Sequence, residues 1–188
     1  MNPDKTIAII DLGSARLKLL VAKRDEFGNI SFKRYKSETG LAGSLDANGE
    51  FLGSAINEIV RCARELLAHA ISEGCGEVVA IATEVFRVAH NTPKIFAMLA
   101  PLIGVPTVLS SKEEGALFYR SFTDIHHVSD CVAIDVGGGS VQIAWGVLPD
   151  QVVSLPIGTY ALEKKFQEAG VVPGPDGYRQ IKKYIFDM

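Results

Sequence analysis

The spacing of hydrophobic residues changes along the chain, and the change divides it. Residues 6–14, 17–22 and 30–37 are short β-rich runs, with Asp25-Glu26-Phe27-Gly28-Asn29 between the last two. Apolar runs separated by turn residues predict a three-stranded meander. Residues 40–53 are rich in glycine and small polar residues and include an Asp46-Ala47-Asn48-Gly49 turn. From Ser54 the period becomes helical. Ile56, Ile59, Val60, Ala63, Leu66, Leu67, Ala70 and Ile71 share one face, Ser54 is placed to cap the start, and Gly74 and Gly76 to stop it.

Residues 77–83 form a short apolar run of the kind buried in a parallel sheet. Helical segments follow at 84–90 and 94–103, broken near Pro93, then a strand at 105–109 and a helix at 111–122. Two strands joined by a glycine turn span 131–143. After them come a strand at 151–155, a helix at 160–169, a Pro- and Gly-rich loop at 171–177 and a helix at 178–186. A meander followed by alternating helix and strand predicts an α/β layer fold with a mixed sheet.

The 188 residues are 47% hydrophobic and 22% charged, the composition of an ordinary globular protein. A net charge of -3 gives no sign of a nucleic-acid surface, so an anionic ligand must be held by local groups. No apolar run approaches a membrane span, and the first five residues are not those of a signal peptide. Cys62, Cys75 and Cys131 have neither an even count nor metal-ligand spacing. They read as reduced thiols, with Cys62 and Cys131 in the core, of a cytoplasmic protein without nucleic-acid or membrane partners.

Candidate chemistry centres on Asp135-Val136-Gly137-Gly138-Gly139-Ser140. Glycines lacking Cβ let the backbone bring N–H groups close to phosphate oxygens. Ser140 adds a hydroxyl, and Asp135 can hold a magnesium ion that neutralises phosphate charge. An ordinary Gly-rich hairpin is the alternative. The same grammar occurs 124 positions earlier at Asp11-Leu12-Gly13-Ser14, which reads as a weak internal repeat with two related lobes, each contributing a loop to one cleft.

Arg16 and Lys18 alternate onto one side of the following strand, either extending the positive surface or forming a solvated face. Arg87 is a candidate phosphate ligand or a solvated helix residue, Asn91 a helix-ending cap, and His126 and His127 a linker. Ser111-Lys112-Glu113-Glu114 has capping-box spacing, in which Glu114 reaches back to the Ser111 amide.

In order and spacing, Ile10-Asp11-Leu12-Gly13-Ser14, Ala82-Thr83 with Arg87, Ala89 and Asn91, Ser110-Ser111-Lys112-Glu113-Glu114, Asp135 through Ser140 and Leu155-Pro156-Ile157-Gly158 resemble the exopolyphosphatase and guanosine pentaphosphate phosphohydrolase family. That family is a branch of the actin-like ATPase superfamily, with ribonuclease H-like lobes. The resemblance implies a complete first lobe at 1–125 and the start of a second at 126–188. It also implies magnesium-dependent hydrolysis of a terminal phosphoanhydride in inorganic polyphosphate or guanosine pentaphosphate.

Carried onto this chain, the family's general base falls on Glu114. Gly13, Ser14, Arg87, Gly137, Gly138, Gly139 and Ser140 fall on phosphate contacts, and Asp135, Asp11 and Gln142 on the metal site. The departures are Ser14-Ala15-Arg16 for Ser-Asn-Ser, Ser111 for a glycine, Gly115 for an alanine, and Gln142 for a metal-binding glutamate. No later Gly-Gly-Thr motif is present. These departures leave a weakened or inactive phosphate-binding module as the alternative, with a sugar-kinase-like ATPase as a third reading. A truncated second lobe would expose apolar surface and favour a homodimer.

Overall fold

A computed structural model of the chain describes residues 6–39, 41, 44–146, 151–172 and 174–188. Part of the expected 40–53 loop and Pro173 of the expected 171–177 loop lie outside the described residues. The chain divides into two compact units, Met1–Ser110 and Ser111–Met188.

In the first unit, β1 (Thr6–Leu12), β2 (Arg16–Arg24) and β3 (Ile30–Glu38) form the expected meander. The Asp25 carboxylate accepts the amides of Phe27 and Asn29 at 2.9 and 2.8 Å, fixing the second turn. The α1 helix (Gly53–Ser72) leads to β4 (Glu77–Ala82), which runs parallel to β1. Next come α2 (Glu84–Val88), α3 (Thr92–Ile103) and β5 (Thr107–Val108). The sheet order is β3-β2-β1-β4-β5, with antiparallel and parallel pairs in one sheet, as the mixed α/β expectation required.

One face of this sheet carries Ala8, Ile10, Leu12, Leu17 and Leu19. It clusters with Ile59, Cys62, Ala63 and Leu66 of α1 and Ile95 and Leu99 of α3. Each fully buried Leu or Ile contributes about 1.5–3 kcal/mol relative to exposure, so this cluster accounts for the unit's cohesion.

Two capping expectations fail here. The α1 helix starts at Gly53 with Leu52 at its cap position and no side-chain cap, so Ser54 lies within the first turn. Asn91 precedes α3 rather than ending α2. Its amide accepts the Phe51 N–H at 3.0 Å and donates to the Phe51 carbonyl at 3.1 Å, tying the loop before α1 to the α3 entry.

The second unit opens with α4 (Ser111–His126), followed by β6 (Val132–Val136), β7 (Val141–Trp145) and β8 (Gln151–Leu155) in an antiparallel meander. The last helices are α5 (Thr159–Glu168) and α6 (Pro175–Phe186). Tyr119 of α4 clusters with Ala133 and Ala144 of the sheet, joined by Phe118, Phe122 and Val152. This packing places α4 with the second unit. The helix outlasts its expected end at residue 122 because Phe122 and His126, one turn apart, bring their rings to 4.6 Å, so His126 is helical rather than linker. His127 follows with φ 53°.

The three cysteines are free thiols. Cys62 is buried, whereas Cys131 is only partly so; burial pushes the Cys62 thiol up from its ordinary value. Among the described residues, no helix is long and apolar enough to cross a membrane.

Candidate functional site

The two aspartate-glycine stretches fold into the same turn. The Gly13 amide donates to the Arg16 carbonyl at 3.1 Å, and the Gly137 amide donates to the Ser140 carbonyl at 2.9 Å. Both glycines are needed sterically, since a Cβ would lie 2.9 Å from the Arg16 oxygen in one turn and 3.0 Å from the Ser140 oxygen in the other. Ser140 therefore corresponds to Arg16, while Ser14 corresponds to Gly138. The serines of the two stretches are two positions out of step; the aspartates and the backbone turns are in step.

Beyond the turn in the second unit, three loop carbonyls face the start of α5. Thr159 donates its amide to the Gly137 carbonyl at 3.0 Å, Tyr160 to Gly138 at 2.9 Å and Gly158 to Gly139 at 3.2 Å. In a trans peptide the carbonyl and the following amide point in opposite directions, and no peptide here is cis. The amides of Gly138, Gly139 and Ser140 therefore point away from α5. Successive amides turned to one side form a concavity suited to an anion.

Strand register places Asp135 directly opposite Gln142. Alternation puts Ala133, Asp135, Gln142, Ala144, Val152 and Ser154 on one face, the face α4 covers. Gln142 is 1% exposed, and its amide nitrogen donates to the Ser140 hydroxyl at 2.7 Å and to the Ser154 hydroxyl at 3.5 Å. In the structure this side chain, expected at the metal position, holds the end of the glycine turn.

Glu114 stands in the first turn of α4, where the helix's positive end favours a carboxylate. The next residue seats that turn: a Cβ at Gly115 would collide with Val152 of β8, which accounts for glycine at this position. Through this seat, the turn bearing Glu114 lies on the sheet face that carries Asp135 and Gln142. Burial and the nearby Cys131 thiol push the Tyr119 phenol above its ordinary range, keeping it neutral.

In the first unit, Asp11 is opposite Lys18, whose amine lies 3.5 Å from the carboxylate. Both border a trough that includes Ile9, Leu20, Arg34 and Lys36. Arg16 projects on the same side and pairs with Glu38 at 2.8 Å, so both cations lie on a solvated strand face, each beside a carboxylate. Ser14 is buried. Arg87 is neither a solvated helix residue nor an open fork, being 15% exposed at its side chain, paired with Glu84 and donating to the Leu109 carbonyl at 2.7 Å. That contact pins α2 to the residue after β5.

Sequence spacing missed two features of the site. Lys18 and Gln142 are cross-strand partners of the two aspartates, a relation already visible in their shared offset of 124. The contact of Gly158 with the glycine loop is long-range, and no local pattern announces it.

The family model described as the Ppx/GppA phosphatase family matches residues 20–186. "Exopolyphosphatase 1" of Mycobacterium tuberculosis is 26% identical over 181 residues, covering 93% of this chain and 52% of that protein. The chain thus spans about half the length of the curated relatives it matches. Among solved structures, the Aquifex aeolicus Ppx/GppA family member aligns with a TM-score of 0.72 and 26% identity, over 87% of this chain and 55% of that one. An exopolyphosphatase from Cytophaga hutchinsonii aligns with a TM-score of 0.75 and 21% identity, over 86% and 54%. With the paired turns in place and the family model matching most of the chain, the protein belongs to the Ppx/GppA phosphatase family.

Proposed function

We propose that this chain carries phosphohydrolase machinery for the terminal phosphoanhydride of inorganic polyphosphate, with guanosine pentaphosphate as the second candidate substrate. The observation that carries this reading is the row of outward amides at Gly138, Gly139 and Ser140. Three donors in sequence suit phosphoryl oxygens and gain strength when the acceptor is charged. The "Exopolyphosphatase 1" relatives support polyphosphate as the first substrate to test.

Glu114 is assigned as general base. It takes a proton from water as the water oxygen bonds to the terminal phosphorus, the bridging P–O bond breaks, and orthophosphate separates from the shortened chain. The loop amides bind the phosphoryl oxygens throughout. Magnesium fits this donor set: Asp135 offers a hard carboxylate oxygen beside the loop, and such ions take one or two carboxylates together with substrate phosphates and water. Among the described residues no cluster of three or more His, Cys, Asp or Glu is placed for a metal; this assignment rests on the Asp135 carboxylate and the substrate phosphates. When bound, the ion would supply neutralisation of phosphate charge.

The test measures orthophosphate release from polyphosphate with magnesium. Glu114→Gln should lower the rate about 10²–10⁴-fold, the range for a lost general base, with polyphosphate affinity retained. Activity surviving at the wild-type level removes Glu114 from this role. A second reading, a binding module that does not turn over, is favoured by the commitment of Gln142 to two hydroxyls. Polyphosphate binding without orthophosphate release would select it.

A further inference from the structure

We propose that Gly158 and the first turn of α5 are the positioning element of the phosphate loop, setting its affinity without touching the ligand. The inference rests on the phosphate-loop reading above and concerns the protein groups behind the loop.

The first amides of a helix have no acceptor within it and normally turn to a cap, to water or to an anion. In α5 no side-chain cap is present at Gly158. The amides of Gly158, Thr159, Tyr160 and Ala161 instead go to the loop: to Gly139 at 3.2 Å, Gly137 at 3.0 Å, and Gly138 at 2.9 and 3.3 Å. The helix start is therefore spent on carbonyls rather than on the ligand.

Two consequences follow. Each carbonyl held inward fixes the next amide outward, so the row of donors is organised before an anion arrives. The positive helix end also acts through those peptide units, because a polarised carbonyl makes the amide of its own peptide group a stronger donor. The approach is close enough to exclude any side chain: a Cβ at Gly158 would lie 2.5 Å from the Gly139 carbonyl carbon and nearer still to Gly138. The glycine of Leu155-Pro156-Ile157-Gly158 is thus explained by the loop it abuts.

Thr159→Pro is the sharpest probe. Position 159 opens the helix and the preceding residue has the extended angles proline requires, φ -61° and ψ 165°, so the ring suits α5 itself while its Cδ, in place of the amide hydrogen, also presses on the Gly137 carbonyl. The substitution deletes the amide that holds the Gly137 carbonyl. Thr159→Ala retains that amide and serves as the conservative control. Gly158→Ala pushes the loop directly, and Gly177→Ala controls for strain, since a Cβ there also meets backbone, at Val172.

Tripolyphosphate is titrated into the full chain while the backbone amide resonances of Gly138, Gly139 and Ser140 are followed. These resonances should move in the wild type. Thr159→Pro and Gly158→Ala should weaken binding about tenfold or more, the equivalent of one charge-assisted hydrogen bond. Thr159→Ala should bind as wild type, and Gly177→Ala should lose thermal stability without losing affinity. Wild-type affinity in Thr159→Pro overturns the positioning role, as does equal weakening in Thr159→Ala. Wild-type loop resonances that ignore tripolyphosphate overturn the phosphate-loop reading itself.

Discussion

The two β-hairpins share a turn and an aspartate yet bury opposite faces. In the first unit, Ala8, Ile10 and Leu12 lie under α1 and α3, and Asp11 borders an open trough. Their counterparts 124 positions on, Val132, Ile134 and Val136, remain 62%, 58% and 61% exposed, while the Asp135 face lies under α4. The turn is thus set locally, by a glycine that tolerates the close carbonyl, whereas the buried face is set by the helix that arrives. The residue opposite each aspartate follows the same logic. Lys18 is largely exposed beside Asp11; Gln142 is buried, and a neutral amide with two hydroxyl partners avoids the cost of a buried charge.

Paired truncations test this contrast most strongly. Ile10→Ala should cost about 2–5 kcal/mol, the range for emptying a packed aliphatic site, whereas Ile134→Ala should change stability by about 0.5 kcal/mol or less. Chemical denaturation of both variants measures the difference. Comparable losses at the two positions would show that the face bearing Ile134 is covered in solution.

Gln142→Glu gives the next effect and separates the two aspartate environments. A carboxylate at this buried position, opposite Asp135, would have its pKa raised by desolvation and by like charge. Its folded-state pKa would then exceed the unfolded value. Stability is full below the unfolded value and falls as pH rises toward the folded one, by about 1–3 kcal/mol if the group must stay neutral or ionise unpaired. Magnesium should restore the loss if Asp135 and residue 142 share an ion. Urea midpoints at pH 4 and pH 8, with and without magnesium, decide it. A midpoint insensitive to both would remove residue 142 from the metal assignment.

Much of this arrangement was legible in the sequence because it is local. Apolar periodicity placed the strands and helices, and two Asp-x-Gly stretches revealed the repeated turn. Features that depend on distant residues were hidden. Ser54 reads as a cap, whereas α1 starts two residues earlier with Leu52 at its cap position, and Asn91 reads as a helix end until Phe51 arrives as its partner. Arg87 reads as a solvated helix residue or a phosphate ligand, and the Leu109 carbonyl and Glu84 that half-bury it give no local signal. At the site, the offset of 124 between the aspartates aligns the repeats as the glycine-to-carbonyl hydrogen bonds do, while the serines fall two positions apart, because the fold preserves backbone geometry rather than side-chain order.

The smallest effect distinguishes the units by acid response. Glu73, at the end of α1, accepts from Lys33 and Tyr35 of β3, and these hydrogen bonds, that of Lys33 foremost, hold its carboxyl below the ordinary 4.5. A lowered folded-state pKa contributes stability above the unfolded value and loses it as pH falls through the folded one. Acid from about pH 5 downward should therefore release the strap between β3 and α1. The change is modest because Lys33 is largely exposed and the pair is screened by solvent. Hydrogen exchange in β3 and the last turn of α1 should accelerate on acidification, after correction for intrinsic exchange rates. In Glu73→Gln those amides should exchange faster at neutral pH and show less further acid response, with β6 and β7 unchanged. Equal acid sensitivity with and without the Glu73 carboxylate would mean that the strap contributes nothing measurable to the first unit, leaving its cohesion to the helix-covered face.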